Sequence, residues 1–295
     1  MIHLHGHSHY SMLQAIWGIK AIINKAKELN QDAIAITDIN AGYGLLEFYE
    51  KTDWIKPILW VDLNFSYDGK NIMNIVLLSK TYEGYQNMIK LISIANTVNM
   101  IDIPFITMDD LKKHSKWLIW ISGWNWEIEK LIVWWEKDNI ILDKIQEYDD
   151  LFKWEFYLEF LTYDYNLFSD RKKIEEKFVQ FVEQNNKKIV VSSNYKYLNK
   201  EDRDTYDVLL CIKNNYKYWE ENRQRLKWYN YIMSEEEVRV VLTNNWLSED
   251  LQNILIWNTH KISESIDCKI PLHQLLFPKY EVPDKYKKLY KKLEK

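Results

Sequence analysis

Short apolar runs set between amphipathic helical stretches recur through the first two hundred residues, and this alternation most narrows the folds open to the chain. Ala33-Ile-Ala-Ile-Thr37, Pro57-Ile-Leu-Trp-Val61, Ile75-Val-Leu-Leu78, Leu118-Ile-Trp-Ile121, Phe156-Tyr-Leu-Glu-Phe160 and Lys188-Ile-Val-Val-Ser192 have the length and composition of buried strands. Between them, Ile19 to Leu29, Tyr82 to Ala95, Glu127 to Trp134 and Lys172 to Glu183 carry helical patterns. The βαβα rhythm predicts a mostly parallel sheet covered by helices. A closed barrel and an open doubly wound sheet both fit the spacing. The chain has no GxGxxG or Walker A sequence, so the nucleotide-loop argument for an open sheet does not apply. After residue 200 the strands fade. Ser234-Glu-Glu-Glu237 is a capping box, and Ser248 caps a further helix ahead of Glu249 and Asp250. Pro271, Pro278 and Pro283 mark an extended connector.

The bulk figures exclude several classes. At 47% hydrophobic and 28% charged residues, 295 residues can bury a sizeable core. A net charge of −4 gives no global field for nucleic acid. The basic run Lys285 to Lys295 is a solvated helix end. Cys211 and Cys268 have no ligand-like spacing and suit reduced thiols of a cytoplasmic protein. Neither a signal peptide nor a run of 18 apolar residues is visible.

The sharpest local feature is His3-Leu-His5-Gly-His7-Ser8-His9. On an extended segment, residues two apart share a face, so His5 and His7 project together at a spacing suited to one metal ion. The alternative is a polar strand whose histidines only make hydrogen bonds.

From here the chain resembles the PHP (polymerase and histidinol phosphatase) family, in the form carried by bacterial DNA polymerase III alpha subunits. The opening HLHGHSHYSML is similar to the family's first motif, and Ala33-Ile-Ala-Ile-Thr-Asp38 to its second. Leu46 to Tyr49, Ile55 to Asp62, Ile75 to Leu91, Ile121-Ser-Gly123, Tyr197 to Asp202, Asp207 to Ile212 and Glu221-Asn-Arg223 follow in the family's order. The resemblance implies an α/β fold: a distorted seven-stranded β/α (TIM-like) PHP barrel with a helical C-terminal appendage. It implies a barrel core over 1–215, a helical extension over 216–268, and a connector over 269–295 toward a polymerase palm. Without that palm the segment has no polymerase active site. Implied partners are the remainder of the alpha subunit, the proofreading exonuclease subunit and, through the holoenzyme, DNA; no membrane is implied.

PHP domains hold a metal cluster on His, Asp and Glu ligands, with one Cys in the polymerase form. Carried over residue by residue, His5 and His7 match the first ligand pair, and Asp62 stands where the family has Glu. The other positions are lost: Gln14 for an Asp, Ile39 and Asn74 for His, Trp124 near the Cys, and Asn194 and Lys196 for a late Asp and His. Amides supply dipoles rather than charge, and Lys196 brings an ammonium where a cation belongs. The expectation is a vestigial His5–His7–Asp62 site with no cluster and no cofactor, and Lys196 either pairing with Asp62 and Asp38 or snorkelling to solvent. The function that follows is structural and docking work in DNA replication. The alternative is an active metal-dependent phosphoesterase or 3′–5′ exonuclease.

One composition figure is anomalous. The chain has 14 Trp and 7 Gly, and the glycines are far below the usual share of roughly 7%. Trp54, Trp60, Trp117 and Trp126 stand where the family has Gly, and Trp134-Trp135 falls where a turn is wanted. The expectation is a gene that uses a reassigned stop codon for glycine, read here as tryptophan.

Overall fold

The computed structural model describes residues 1–100, 102–123, 128, 131, 137–162, 169–221, 223 and 229–274. Six strands form one curled sheet in sequence order: β1 (Ala33–Ile36), β2 (Lys56–Phe65), β3 (Met73–Ser79), β4 (Leu118–Ile121), β5 (Phe156–Leu161) and β6 (Ile189–Ser192). The sequence expectation was seven strands in a TIM-like barrel; six are found among the described residues. The N-terminal segment makes isolated bridges rather than a strand. His3 bridges Ile34, and Gly6 bridges Tyr195, just beyond β6. Backbone hydrogen bonds run on both sides of it, from Ala35 N to His3 O, Thr37 N to Gly6 O, Tyr195 N to His5 O and His7 N to Tyr195 O. The segment therefore links the first and last strands of the sheet. Gly6 is required there, because a Cβ at this position would meet the Tyr195 ring at 2.0 Å.

Pairing is parallel for β1–β2, β4–β5 and β5–β6 and antiparallel on both sides of β3. The reversal has a simple cause. Only residues 66–72 connect β2 to β3, too few for a parallel crossover, and Gly69 takes φ 71° in that turn.

The helices are α1 (Ile19–Glu28), α2 (Leu45–Lys51), α3 (Tyr82–Thr97), α4 (Met108–His114), α5 (Asp138–Leu151), α6 (Ser169–Gln184), α7 (Arg203–Asn214), α8 (Glu235–Asn244) and α9 (Glu249–Ser265). Two of the C-terminal helices start at sequence-visible caps. Ser234 accepts from Glu237 N in a complete capping box, and Ser248 accepts from Leu251 N. The Glu127–Trp134 stretch apart from Ile128 and Leu131, the connector beyond residue 274, and Trp124, Trp126, Trp134 and Trp135 lie outside the described residues.

Both sheet faces are apolar, which is why the strands are continuous apolar runs. One face, with Ile34, Ile36, Leu59, Leu77, Trp120, Leu158 and Val191, packs under the helices, including Val238 and Leu242 of α8 and Leu255 of α9. The other face, with Ala33, Ala35, Ile58, Trp60, Val76, Leu78, Ile119, Ile121 and Val190, fills the inside of the curl with Ile262 and Ile266. Burial of this order supplies roughly 1.5–3 kcal/mol per large side chain before entropy is subtracted.

The tryptophans divide by environment. Trp117, Trp154 and Trp246 adopt left-handed φ of 61°, 68° and 58° and are largely exposed. Trp60 and Trp120 are fully buried on β2 and β4 with ordinary strand backbone, and the Trp60 indole N–H has no hydrogen-bond partner among the described residues. The turn argument made for glycine thus holds at Trp117 and does not extend to Trp60 or Trp54.

Candidate metal centre

The N-terminal segment carries its histidines into the seam of the sheet, where each meets a different partner. His3 is structural. Its Nε2–H donates to the Met233 carbonyl at 2.9 Å, and Ser193 Oγ lies 3.1 Å from Nδ1. Burial pulls its pKa down to about 4, against the opposing pull of the Met233 carbonyl. His5 and His7 sit with ring centroids 5.3 Å apart, so the shared orientation anticipated for them is realised.

Asp62 follows Ile58 and Trp60 on the inner face of β2 by the strand period of two, and is buried. Its Oδ2 lies 3.7 Å from His5 Nε2 and 4.0 Å from His7 Nε2, and its Oδ1 accepts from Asn74 Nδ2 at 3.0 Å. His5, His7 and Asp62 each place one ligand atom within 4.8 Å of the others, and among the described residues no other such group occurs.

Glu159 was not anticipated. Its Oε1 accepts from His5 Nδ1 at 2.6 Å, both groups being buried. The clue was legible: Glu159 is the lone charge in the apolar run Phe156 to Leu161, and alternation sets it opposite Leu158 and Phe160. The pocket therefore holds more negative charge than Asp62 alone. Burial pushes the His5 pKa down, but the Glu159 carboxylate, with help from Asp62, raises it to about 9. A carboxylate on the far nitrogen is also how a ligating histidine is oriented, leaving Nε2 for an ion. His7 moves the other way: burial, reinforced by the charges of Lys196 and His5, holds its pKa well below the ordinary range. Its Nε2–H donates to Asn194 Oδ1 at 2.9 Å.

Above this buried trio opens a cleft of about 310 Å³. Gln14, Ile39, Asp62, Asn74, Asn194 and Lys196 all line it, so five of the six positions assigned to lost ligands converge on one site. The sixth, Trp124, lies outside the described residues. Of the two readings left open for Lys196, pairing and snorkelling, the contacts bear on the first. Among the described residues it forms no ion pair within 4.0 Å, and Asp38 is instead taken by Ser8 N, Ser8 Oγ and Ser11 Oγ at 2.7–2.8 Å. Burial lowers the Lys196 pKa to about 8, with Asp62 pulling it back up. His5 stands between two carboxylates, its Nδ1 2.6 Å from Glu159 and its Nε2 3.7 Å from Asp62.

The PHP domain family model matches residues 3–162, more than half of the chain. The chain belongs to the PHP domain family. This PHP domain is similar to DNA polymerase III subunit alpha of Borreliella burgdorferi, at 29% identity over 99% of this chain and 26% of the relative. It is likewise similar to that subunit of Thermus aquaticus, at 26% identity over 96% of this chain and 24% of the relative. The chain thus spans about a quarter of the length of the curated relatives it matches. An amidohydrolase from Chromobacterium violaceum, solved with bound sulfate and no metal, shares 11% identity at a TM-score of 0.41 over 66% of this chain and 87% of that one. A likeness of that size carries no argument about chemistry. No described helix is long and apolar enough to cross a membrane.

Against the metal cluster that the family implies, the donor set fits in part. One divalent ion has two imidazoles and a carboxylate available, with His5 Nε2 buried and without a hydrogen-bond partner. Such an ion would act as a Lewis acid on a phosphoryl oxygen. For second and third ions the described lining offers amides, the hydrocarbon side chain of Ile39 and an ammonium.

Proposed function

We propose that this PHP domain is the N-terminal part of a DNA polymerase III alpha subunit and serves DNA replication as a structural and docking element, its metal site degenerate. Its partners on this reading are the remainder of the alpha subunit and the proofreading exonuclease subunit, with DNA reached through the holoenzyme in the cytoplasm. The segment catalyses nothing itself. The observation that carries the reading is the cleft lining: Lys196, Asn74, Asn194, Gln14 and Ile39 stand around Asp62, where several cations would each need anionic or imidazole donors. Elemental analysis of the purified chain tests it. At most one equivalent of divalent metal and no manganese-dependent phosphoester turnover are expected; two or three equivalents with turnover overturn it.

A second reading rests on His5, His7 and Asp62 alone, whose proximity favours a single-ion phosphoesterase. It predicts one equivalent of metal and activity abolished by His5→Ala, so activity at that stoichiometry separates the two.

A further inference from the structure

Lys196 is fixed on the cleft wall by its backbone. Its N–H donates to the Asn230 carbonyl at 2.8 Å, and its own carbonyl accepts from Ile16 N at 3.1 Å. The side chain is partly buried, yet Nζ has neither a hydrogen-bond acceptor nor an ion pair among the described residues. Burying an ammonium without an acceptor is costly, which favours the neutral amine. Burial brings the Lys196 pKa down to about 8, while Asp62 and Asp38 pull it up and Lys213 pushes it further down. Beside this amine the cleft of about 310 Å³ has room for a small molecule. Ile39, Ile103 and Pro104 give it hydrocarbon surface. The Gln14 and Asn74 amide oxygens, which have no donor among the described residues, give it acceptors.

We propose that Lys196 is a covalent capture site for small uncharged aldehydes, held as an imine on Nζ with their hydrocarbon part against Ile39, Ile103 and Pro104. The inference rests on the reading that cations do not fill the cleft. A desolvated lysine amine is the usual protein nucleophile toward carbonyl carbon. The Nζ lone pair forms a C–N bond, and the carbonyl oxygen leaves as water with both amine hydrogens, which gives the C=N bond. A proton from solvent then makes the iminium. The step consumes no oxidant or reductant. The Gln14 and Asn74 oxygens can accept from the hydroxyl of the carbinolamine formed on the way. Charge selects the class of electrophile. A protonated imine keeps the positive charge that Asp62 and Asp38 face, whereas acylation of the amine would delete it.

The test is reductive trapping on the full 295-residue chain, stripped with EDTA, at pH 7. Benzaldehyde and formaldehyde are the probes, and cyanoborohydride reduces each imine to a stable secondary amine. Peptide mass spectrometry then reads the rate at each lysine. Benzaldehyde is expected to label Lys196 at least about tenfold faster than the exposed Lys20 and Lys70, because at pH 7 about a tenth of an amine with a pKa of about 8 is neutral. The preference for Lys196 should be several-fold greater with benzaldehyde than with formaldehyde, since only the ring reaches the apolar wall. Ile103→Ser should erase that excess. Lys196→Arg should remove the fast phase, with circular dichroism confirming the fold of both variants. Labelling of Lys196 no faster than Lys20, the same preference in the urea-unfolded chain, or equal preference with the two aldehydes overturns the proposal. Metal content before stripping keeps the two readings apart: slow labelling at one equivalent of metal or less sinks only the aldehyde site, whereas two or more equivalents sink the scaffold reading and the aldehyde site with it.

Discussion

Trp117, Trp154 and Trp246 offer a test in which the sign of a stability change, rather than its size, decides. All three hold left-handed φ between 58° and 68°. There a Cβ crowds the carbonyl at a cost of roughly 1–2 kcal/mol, which glycine escapes. Glycine also loses about 0.5–1 kcal/mol more backbone freedom on folding than alanine does. The net advantage of Gly over Ala at each site is therefore about 0.5–1 kcal/mol, or about 2 kcal/mol for all three. Comparing Gly with Ala variants cancels what the indole contributes, including the Lys172 ammonium 3.5 Å from the Trp246 ring centroid. The control is Trp257, exposed on α9, where the helix reverses the sign and Ala wins by about 1 kcal/mol. Urea midpoints of the paired variants measure both. Gly equal to or below Ala at positions 117, 154 and 246 refutes the argument that these positions call for glycine. Peptide mass spectrometry of protein from the native source then reads the residue directly; a tryptophan mass at position 117 would sink the recoded-codon explanation outright.

Three further outcomes follow from the buried groups. Glu159→Gln removes the carboxylate that holds His5 Nδ1 and should cost about 2–3 kcal/mol in urea denaturation at pH 7; a change under about 0.5 kcal/mol would detach Glu159 from the site. His3, whose folded pKa of about 4 lies below its ordinary 6.5, binds its proton more readily unfolded, so its contribution is complete above pH 6.5 and is lost as pH falls toward 4. That loss amounts to about 3 kcal/mol, and His3→Gln should flatten this limb of the stability profile; an unchanged limb contradicts the assignment. Lys196→Met should leave stability unchanged or raise it, since no ion pair is broken; a loss above about 2 kcal/mol in chemical denaturation would mean that Lys196 is internally paired after all.

The six strands were visible in the sequence because a strand covered on both faces leaves an unbroken apolar run, as Leu118 to Ile121 does. The seam made by the N-terminal segment was not, because it consists of single bridges to Ile34 and Tyr195 instead of a ladder, and residue pattern cannot distinguish the two. The reversal of β3 follows from the seven residues between it and β2, a count that only the structure supplies, because both strands run longer than the apolar runs that marked them in the sequence. Within the site, His5 and His7 stood out by their spacing, and Asp62 entered through the resemblance to PHP domains; the structure places the three within 4.8 Å of one another. Glu159 was hidden by its hydrophobic neighbours, and its partner lies 154 residues away. Lys196 was left between pairing and snorkelling; among the described residues it makes no ion pair within 4.0 Å, and Ser8 and Ser11 hold Asp38.

The seam that joins β1 to the end of β6 has one more implication. The residues that close the sheet and the residues that could grip an ion are the same few, His5 and His7 among them, threaded between Thr37 and Tyr195. Side chains on the cleft rim, such as Gln14 or Asn74, can be exchanged without loosening that closure. Removing a seam imidazole instead opens a hole where the sheet is stitched shut. In a domain of this build the sheet itself holds the two histidines in place, whatever the cleft above them binds.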